Sequence, residues 1–283
     1  MISRFDHVTI AVANLDQAVA TYTAILGAAP DWRGTHPDNG TQTALFALGN
    51  ALIEFTAPLP DNEAALGLQH WLTEHGAGLQ ALAFGTDDAQ ACSSQLRERG
   101  VRCTSPQVGT ARAQDGSERE YTVVELSPKA ARGLPVLIVQ RPDALQLMAA
   151  ERKVPPAHVE RLDHVVISTA DCDAAQALYG AGLGLRLALD TQVAGARMLF
   201  FRVGGVTLEI VPDASNAAQD RFYGLAYRVQ HIDAAHARMS QAGLDVSELR
   251  TGRKPGTRVF SVRQGTCGVP TLILRDPSRD ARV

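Results

Sequence analysis

Two histidine–glutamate pairs are the residues of this sequence most suited to chemistry. His7 stands in the first strand-like run and Glu54 in a later one, and His164 and Glu209 take matching places further along the chain. In alternating strands the two members of each pair fall on one face, opposite the aliphatic residues that would pack on a helix. An imidazole and a carboxylate that share a face suit a divalent metal such as Zn, Ni, Mn or Fe, or a proton exchange.

The pairs recur because the chain repeats itself. Residues 5–27 read FDHVTIAVANLDQAVATYTAILG and residues 162–184 read LDHVVISTADCDAAQALYGAGLG. Each phrase predicts a strand and a helix, with Asn14 or Asp16 as cap and Gly27 as stop in the first copy, and three strand-like runs follow. Weaker copies begin at GLQALAFGTDD and GLAYRVQHID. The sequence therefore predicts four strand–helix–strand–strand–strand modules.

A linker is expected between modules two and three. The stretch PDALQLMAAERKVPPAHVER predicts a short helix followed by Pro-Pro, which is typical of a domain boundary. We expect an N-terminal domain over 1–141, a linker over 142–160 and a C-terminal domain over 161–283. An insert over 58–77 separates modules one and two and predicts a helix around Gly67–His75.

The composition excludes several classes of partner. The chain has 283 residues, 45% hydrophobic and 20% charged, with a formal net charge of −3. Its basic residues are scattered singly and its aromatics are few, which argues against nucleic acid. The aliphatic runs are only strand-length, so no membrane span and no leading signal segment are expected. Four widely spaced cysteines favour reduced thiols and a cytoplasmic protein. With nucleic acid and membrane excluded, the expected partner is a small-molecule substrate or ligand.

With these motifs the chain resembles the vicinal oxygen chelate superfamily, which includes glyoxalase I, methylmalonyl-CoA epimerase, extradiol dioxygenases and bleomycin-resistance proteins. The segment THPDNGTQTALFALGNALIEF is similar to the glyoxalase-like branch. The resemblance implies an α+β fold in which four βαβββ modules form two paired, cupped sheets with the site inside. It also implies that His7, Glu54, His164 and Glu209 hold a metal, and that Glu54 or Glu209 shuttles a proton.

Modules two and four depart from the family's pattern, because small or aliphatic residues stand at the ligand positions. These residues are Ala81 and Gly224 for the histidine, and Leu137 or Ile138 and Leu272 or Ile273 for the glutamate. A metal site commonly needs three protein ligands. If the modules pair in chain order, each cup therefore contains only one histidine and one glutamate of the set.

Three arrangements stay open for the ligands. His36, or His70 or His75 from the insert, could complete the first cup, although a solvated loop also explains His36 beside Pro37. Modules one and three could instead pair across the halves or across a homodimer. In the third arrangement no metal binds, and histidine and glutamate form an acid–base pair or line the cup.

Other side chains are candidates for the substrate pocket: His36, Arg197, Phe201 and Arg258, of which the arginines could clamp an anion. The favoured function is a metal-dependent lyase or isomerase acting on a small oxygenated substrate through an enediolate. The alternative is a metal-free protein of the bleomycin-resistance type that sequesters a small molecule. An extradiol dioxygenase is less favoured, since that branch needs further ligands from module four, where Gly224 stands.

Overall fold

The computed structural model describes residues 1–142, 154–215 and 219–277. Most of the expected linker, including its short helix, lies outside these described residues. The boundaries at 141 and 161 therefore stay a prediction.

The first half contains two βαβββ modules and the expected insert helix. Its elements are β1 (Ile2–Ala11), α1 (Leu15–Leu26), β2 (Trp32–His36), β3 (Thr41–Ala47), β4 (Leu52–Pro58), α2 (Leu66–His75), β5 (Gly78–Thr86), α3 (Ala89–Glu98), β6 (Gln107–Ala113), β7 (Glu118–Glu125) and β8 (Val136–Gln140). The insert helix α2 confirms the one predicted around Gly67–His75.

The second half repeats this order without the insert. Its elements are β9 (Val159–Thr169), α4 (Cys172–Gln176), β10 (Arg186–Val193), β11 (Ala196–Val203), β12 (Val206–Pro212), β13 (Arg221–Val229), α5 (Ile232–Gln241), β14 (Arg250–Thr251), β15 (Arg258–Val262) and β16 (Thr271–Arg275). Helix α4 runs on into a π-helical turn over Ala177–Gly182. The α+β architecture of four modules is thus confirmed.

The first helix begins and ends where its residues dictate. The side chain of Asn14 accepts a hydrogen bond from the Gln17 backbone and so satisfies one amide that the first turn leaves open. Gly27 ends the helix in the left-handed region at φ 89°, which a side chain would disfavour. Tyr22 and Ile25 on its inner face are fully buried.

The modules pair in chain order, and the sheet is closed in the first half and open in the second. Strands of the first half form a closed barrel in the order β1-β4-β3-β2-β6-β7-β8-β5. The closing contact joins β2 to β6, where Gly34 faces Ala113 and Thr35 faces Arg112. The second half forms an open sheet, β10-β11-β12-β9-β13-β16-β15-β14, so β10 and β14 are edges. Across the described part of the chain, each strand ladder joins strands of one half.

Alternation along the strands separates a helix-packed face from an inner face, as predicted. Val8, Ile10, Ile53 and Phe55 are fully buried in the core beneath the helices. Their neighbours therefore point to the other side of the sheet, toward the barrel interior. In β9 and β12, Val165, Ile167, Leu208 and Ile210 are likewise fully buried in the core. The histidine and glutamate of each half therefore lie on its concave face.

The halves share one apolar core and several polar contacts. Asn50 both donates to the Leu162 carbonyl at 2.8 Å and accepts from the Leu162 amide at 3.0 Å. Tyr22 of α1 donates to the Thr266 carbonyl at 3.1 Å, and Arg238 of α5 donates to the Ala24 and Ile25 carbonyls that end α1. The first half therefore positions both β9 and the loop around Thr266.

Candidate active site

The first predicted pair forms a direct contact inside the barrel. Nε2 of His7 lies 2.9 Å from Oε2 of Glu54, and their side chains are only 7% and 15% exposed. The hydroxyl of Thr9 donates to the same Glu54 oxygen at 3.2 Å. The contact arises because β1 and β4 pair in parallel, which places Thr9 beside Glu54 and His7 two residues earlier on the same face.

A second carboxylate holds the other edge of the His7 ring. Oδ1 of Asp6 lies 2.8 Å from Nδ1 of His7 and also accepts from Arg141 at 2.5 Å. Asp6 is fully buried, so the guanidinium of Arg141 compensates a charge that burial would otherwise disfavour. His7 is therefore fixed between two carboxylates.

The charges of this cluster shift its titrations strongly. Burial by itself lowers the pKa of His7, but the charge of Glu54 and the hydrogen bond to Asp6 outweigh it and raise the pKa to about 8. Burial raises the pKa of Glu54, yet the charge and hydrogen bond of His7 lower it to about 2. At neutral pH the pair is an imidazolium and a carboxylate.

Aromatic rings pack around this first pair. Nε2 of His36 lies 3.9 Å from the second Glu54 oxygen, and its Nδ1 lies 3.2 Å from the Tyr121 hydroxyl. The ring of Trp32 is 6.2 Å from that of His36 and packs on Leu45 and Ala111 across the barrel. Burial lowers the pKa of His36. His36 is thus part of the barrel interior rather than of a solvated loop.

The second predicted pair is wider and more open. Nε2 of His164 lies 3.6 Å from Oε2 of Glu209, and both side chains are 18% exposed. Asp163 repeats the role of Asp6, with Oδ1 at 3.0 Å from Nδ1 of His164. A carboxylate on Nδ1 fixes the ring orientation and directs Nε2 toward Glu209.

This second pair lies in a cavity of about 1720 Å³. The sheet of the second half supplies most of the wall, and Gly224 and Leu272, at two of the positions where module four departs from the ligand pattern, line it as well. Asn14, which caps α1, and Gln17 and Thr21 of that helix complete the wall from the first half. The cavity therefore needs both halves.

The guanidinium of Arg202 lies on the same face of the sheet as His164 and Glu209. Arg202 of β11 faces Thr207 of β12, which faces His164 of β9, so the three share one row across the sheet. Nη1 of Arg202 donates to the Thr207 hydroxyl at 2.5 Å. The row directs the guanidinium toward the part of the cavity where His164 and Glu209 lie, and all of these residues line it.

The other pocket candidates lie elsewhere. Arg197 is held by Asp173 at 2.5 Å and by Asp190 at 2.7 Å, and Arg258 by Asp233 at 2.5 Å. Phe201 is fully buried against Tyr179, with ring centroids 5.9 Å apart. These three residues alternate with residues that line the cavity: Met198, Phe200, Arg202, Val259 and Ser261.

The donor set does not fit a three-ligand metal centre. Among the described residues no three His, Cys, Asp or Glu side chains converge as ligands for one ion. Each centre offers the Nε2 of one histidine and one carboxylate in direct contact, because Asp6 and Asp163 bind the far nitrogen of their ring. His36 lies beside the first pair, but its Nε2 is 3.9 Å from Glu54, and it does not complete a three-ligand set. His70 pairs with Glu74 at 3.1 Å and His75 stacks on Trp71 on the exposed α2, so neither extends the first centre.

Two groups of site residues were missed by sequence reasoning. Asp6 and Asp163 stand beside the histidines in the repeated Asp-His-Val phrase, and that repetition was the available signal. The basic residues Arg250, Arg253 and Lys254 line the cavity together, although the basic residues were expected to be scattered. Their density in RTGRKPGTR was the signal here.

The fold and the site define a tandem paired-module protein with a small-molecule cavity. A family model described as "Glyoxalase-like domain" matches residues 5–184, and one for the "Glyoxalase/Bleomycin resistance protein/Dioxygenase superfamily" matches residues 163–260. The chain belongs to the glyoxalase-like domain family and thereby to the vicinal oxygen chelate superfamily. In the described residues no helix is long and apolar enough to cross a membrane.

Curated relatives cover part of the chain. The ethylmalonyl-CoA/methylmalonyl-CoA epimerase of Cereibacter sphaeroides is 33% identical over 103 residues, 36% of this chain and 75% of its own. Human mitochondrial methylmalonyl-CoA epimerase is 28% identical over 107 residues, 38% of this chain and 60% of its own. The chain therefore spans less than two thirds of the human relative.

Solved structures resemble the whole chain in fold alone. A mutant of 4-hydroxymandelate synthase from Streptomyces coelicolor superposes with a TM-score of 0.70 at 16% identity, covering 96% of this chain and 92% of its own. A hypothetical protein from Staphylococcus aureus gives 0.67 at 11% identity, covering 96% and 99%.

Proposed function

We propose that this protein is an isomerase or lyase that moves a proton along one face of a small carbonyl compound bound in the cavity of the second half. The observation that carries the proposal is the position of His164 and Glu209, 3.6 Å apart and both facing the cavity. A base and an acid within reach of one bound carbon are the elements of enediolate chemistry.

The separation of the two groups favours transfer on a single face. Two groups that each reach one carbon from opposite faces must stand roughly 6 Å apart, since each needs a contact of about 3 Å. Nε2 of His164 and Oε2 of Glu209 are much closer than that. They therefore address the same face, which suits isomerisation or elimination better than inversion at carbon.

Each residue then has a definite task. The Glu209 carboxylate removes the proton next to the carbonyl, and the electron pair of that C–H bond moves into the enediolate. His164 then donates the proton on Nε2 to the carbonyl carbon, while the proton of the neighbouring hydroxyl moves to the former carbonyl oxygen, and Asp163 holds the ring through Nδ1. Arg202 supplies positive charge where the oxyanion develops. The proton on Glu209 then passes back to His164, which restores both groups.

Access of a substrate to the paired side chains favours the second half as the site of the reaction. His7 and Glu54 already satisfy each other as an ion pair within a closed barrel. His164 and Glu209 lie in a volume able to hold a small molecule. We therefore assign chemistry to the second pair and a stabilising role to the first.

The expected divalent metal has no place in these steps. A catalytic metal site commonly takes three protein ligands, and the cavity pair supplies two, His164 and Glu209. The two-donor set does not fit, and positive charge comes from Arg202 instead.

Solvent exchange tests the proposal. We would incubate the protein in D2O with methylmalonyl-CoA, named for the relatives above, and with glyceraldehyde, a 2-hydroxy aldehyde, and follow deuterium at the carbon next to the carbonyl by NMR. We expect exchange with the wild type, its loss in Glu209→Gln and His164→Gln, and its retention in His7→Gln. Exchange that survives both cavity variants, or its absence with every probe, would contradict the proposal.

A binding function is the second candidate, favoured by the exposed apolar side chains in the cavity. Leu189 and Tyr223 are 51% and 60% exposed there. Ligand binding without any exchange, unchanged by Glu209→Gln, would support this alternative.

A further inference from the structure

The cavity of the second half has an uneven distribution of charge. Five basic side chains line it, against three acidic ones; the basic residues are Arg202, Arg250, Arg253, Lys254 and Arg263, and the acidic ones are Asp163, Glu209 and Asp276. The whole chain, in contrast, has a formal net charge of −3. Arg263 pairs with Asp245, outside the lining, at 3.4 Å, which leaves four basic against three acidic side chains. The cavity is therefore a local positive region on an acidic protein, which favours an anionic ligand.

Three of these cations come from residues 250–257, a segment closed by its own hydrogen bonds, which we name the basic turn. The Gly252 amide donates to the Thr257 carbonyl at 2.9 Å. The Thr257 amide and hydroxyl both donate to the Lys254 carbonyl, at 3.1 and 2.6 Å. Thr257 is itself buried, so the fold fixes the backbone that presents these cations.

The charges of the basic turn are only partly neutralised. Lys254 pairs with Asp276 at 2.5 Å. Arg250 is exposed and donates to the Ser261 hydroxyl at 3.4 Å. In the parts of the chain that the structure describes, neither Arg250 nor Arg253 has a carboxylate partner. Both remain available to an anionic group, which guanidinium binds through paired hydrogen bonds.

The opposite wall is apolar apart from Thr191 and Arg202. Strands β10 and β11 contribute Leu189, Val193, Met198 and Phe200 to the cavity. Leu189 is 51% exposed although large and aliphatic. Exposed apolar side chains inside a concave site mark a wall that a ligand covers. In the sheet order, β12 and β9 with Glu209 and His164 lie between this wall and the basic turn on β14.

We propose that the cavity binds an organic anion with an apolar arm, the anionic group on Arg250 and Arg253 and the arm on the β10–β11 wall. The middle of such a ligand lies over His164 and Glu209; this last point rests on the proposed function, whereas the binding mode does not. The ligand class is a carboxylate or a phosphate ester that carries an aliphatic or aromatic group.

A pair of fluorescent probes separates charge from apolar contact. The anion 8-anilino-1-naphthalenesulfonate and the neutral N-phenyl-1-naphthylamine have nearly the same apolar body. With the full chain we expect the anion to bind more tightly, and its affinity alone to fall when salt rises from about 0.05 to about 0.5 M. Arg250→Ala/Arg253→Ala should weaken the anion roughly tenfold and leave the neutral probe unchanged.

A matched control removes the same charge elsewhere. Arg102 and Lys129 are exposed basic residues of the first half and do not line the cavity. Arg102→Ala/Lys129→Ala should leave both probes unchanged, whereas Leu189→Ser should weaken both. Equal anion affinity in the wild type and the Arg250/Arg253 variant would overturn the proposal. So would an equal loss in the control variant, or loss of the neutral probe together with the anion.

Displacement of the bound anion by octanoate or by octyl phosphate then identifies the preferred anionic group. His164→Gln should retain the anion while losing deuterium exchange. Selective binding without any exchange would leave this inference standing and the proposed function wrong. Exchange with anion affinity insensitive to the basic turn would contradict this inference alone.

Discussion

Nε2 of His7 lies 2.9 Å from Oε2 of Glu54, whereas the matching atoms of the second pair are 3.6 Å apart. The shorter contact is buried in a closed barrel and the longer one faces a cavity. One repeated phrase thus gives a close ion pair inside a barrel in the first half and a wider pair that lines a cavity in the second.

The first pair makes stability depend on pH. The pKa of His7 is raised to about 8 in the folded protein, against about 6.5 in an unfolded chain. Its stabilisation is therefore fully present below about pH 6.5 and is lost as the pH rises to about 8. We expect the free energy of unfolding to fall over this window in the wild type and to fall less in His7→Gln. Urea titrations at each pH measure it, and parallel curves would contradict the assignment.

Removing the carboxylate charge should cost stability in the first half but not in the second. Glu54→Gln leaves His7 without its buried ionic partner, and we expect a loss of about 1–3 kcal/mol. Glu209→Gln acts at an open site and should change stability by less than about 0.5 kcal/mol. Denaturant unfolding compares the two variants directly. Equal losses would show that the two pairs have the same structural role.

Arg202 should act on the reaction more than on binding. If its charge meets the developing oxyanion as proposed, Arg202→Gln lowers kcat about 100-fold with a smaller change in KM. Arg202→Lys should restore part of the rate by retaining the charge. Arg197→Gln, five residues earlier in the same strand but on its helix-packed face, is the control and should leave kcat unchanged. A change confined to KM would instead assign Arg202 to binding.

Neither the His7–Glu54 pair nor the His164–Glu209 pair should retain a metal ion. We expect elemental analysis of dialysed protein to find Zn, Ni, Mn and Fe well below one equivalent per chain, with deuterium exchange insensitive to EDTA. One equivalent of metal that disappears in His164→Ala or His7→Ala would contradict this expectation and restore the metal-dependent mechanism.

Asn50 should link the first half to the second pair. Its amide makes two hydrogen bonds to the backbone of Leu162, two residues before His164. Asn50→Ala leaves these buried groups unpaired and should lower the free energy of unfolding by about 1–3 kcal/mol. Stability equal to that of the wild type would show that β9 is held without it.

Local pattern was enough to predict the elements and the inner faces. In β1 the apolar Val8 and Ile10 alternate with His7 and Thr9, so the sequence shows which residues face the helix and which face the interior. In β11 the sequence does not show which residues face the helix, because MLFFRV has apolar residues at consecutive positions. The expected pocket residues Arg197 and Phe201 consequently lie one step from Met198, Phe200 and Arg202, which line the cavity.

The sequence by itself determined the repeat, the module fold and the placement of one histidine and one glutamate on each concave face, because these follow from periodicities of a few residues. Only the tertiary structure decided how far apart the members of each pair lie and what surrounds them. Pairing of β2 with β6 closes the first half, while the very short β14 leaves the second half open. Such contacts join residues far apart in the chain, and their energies depend on packing that no local pattern encodes.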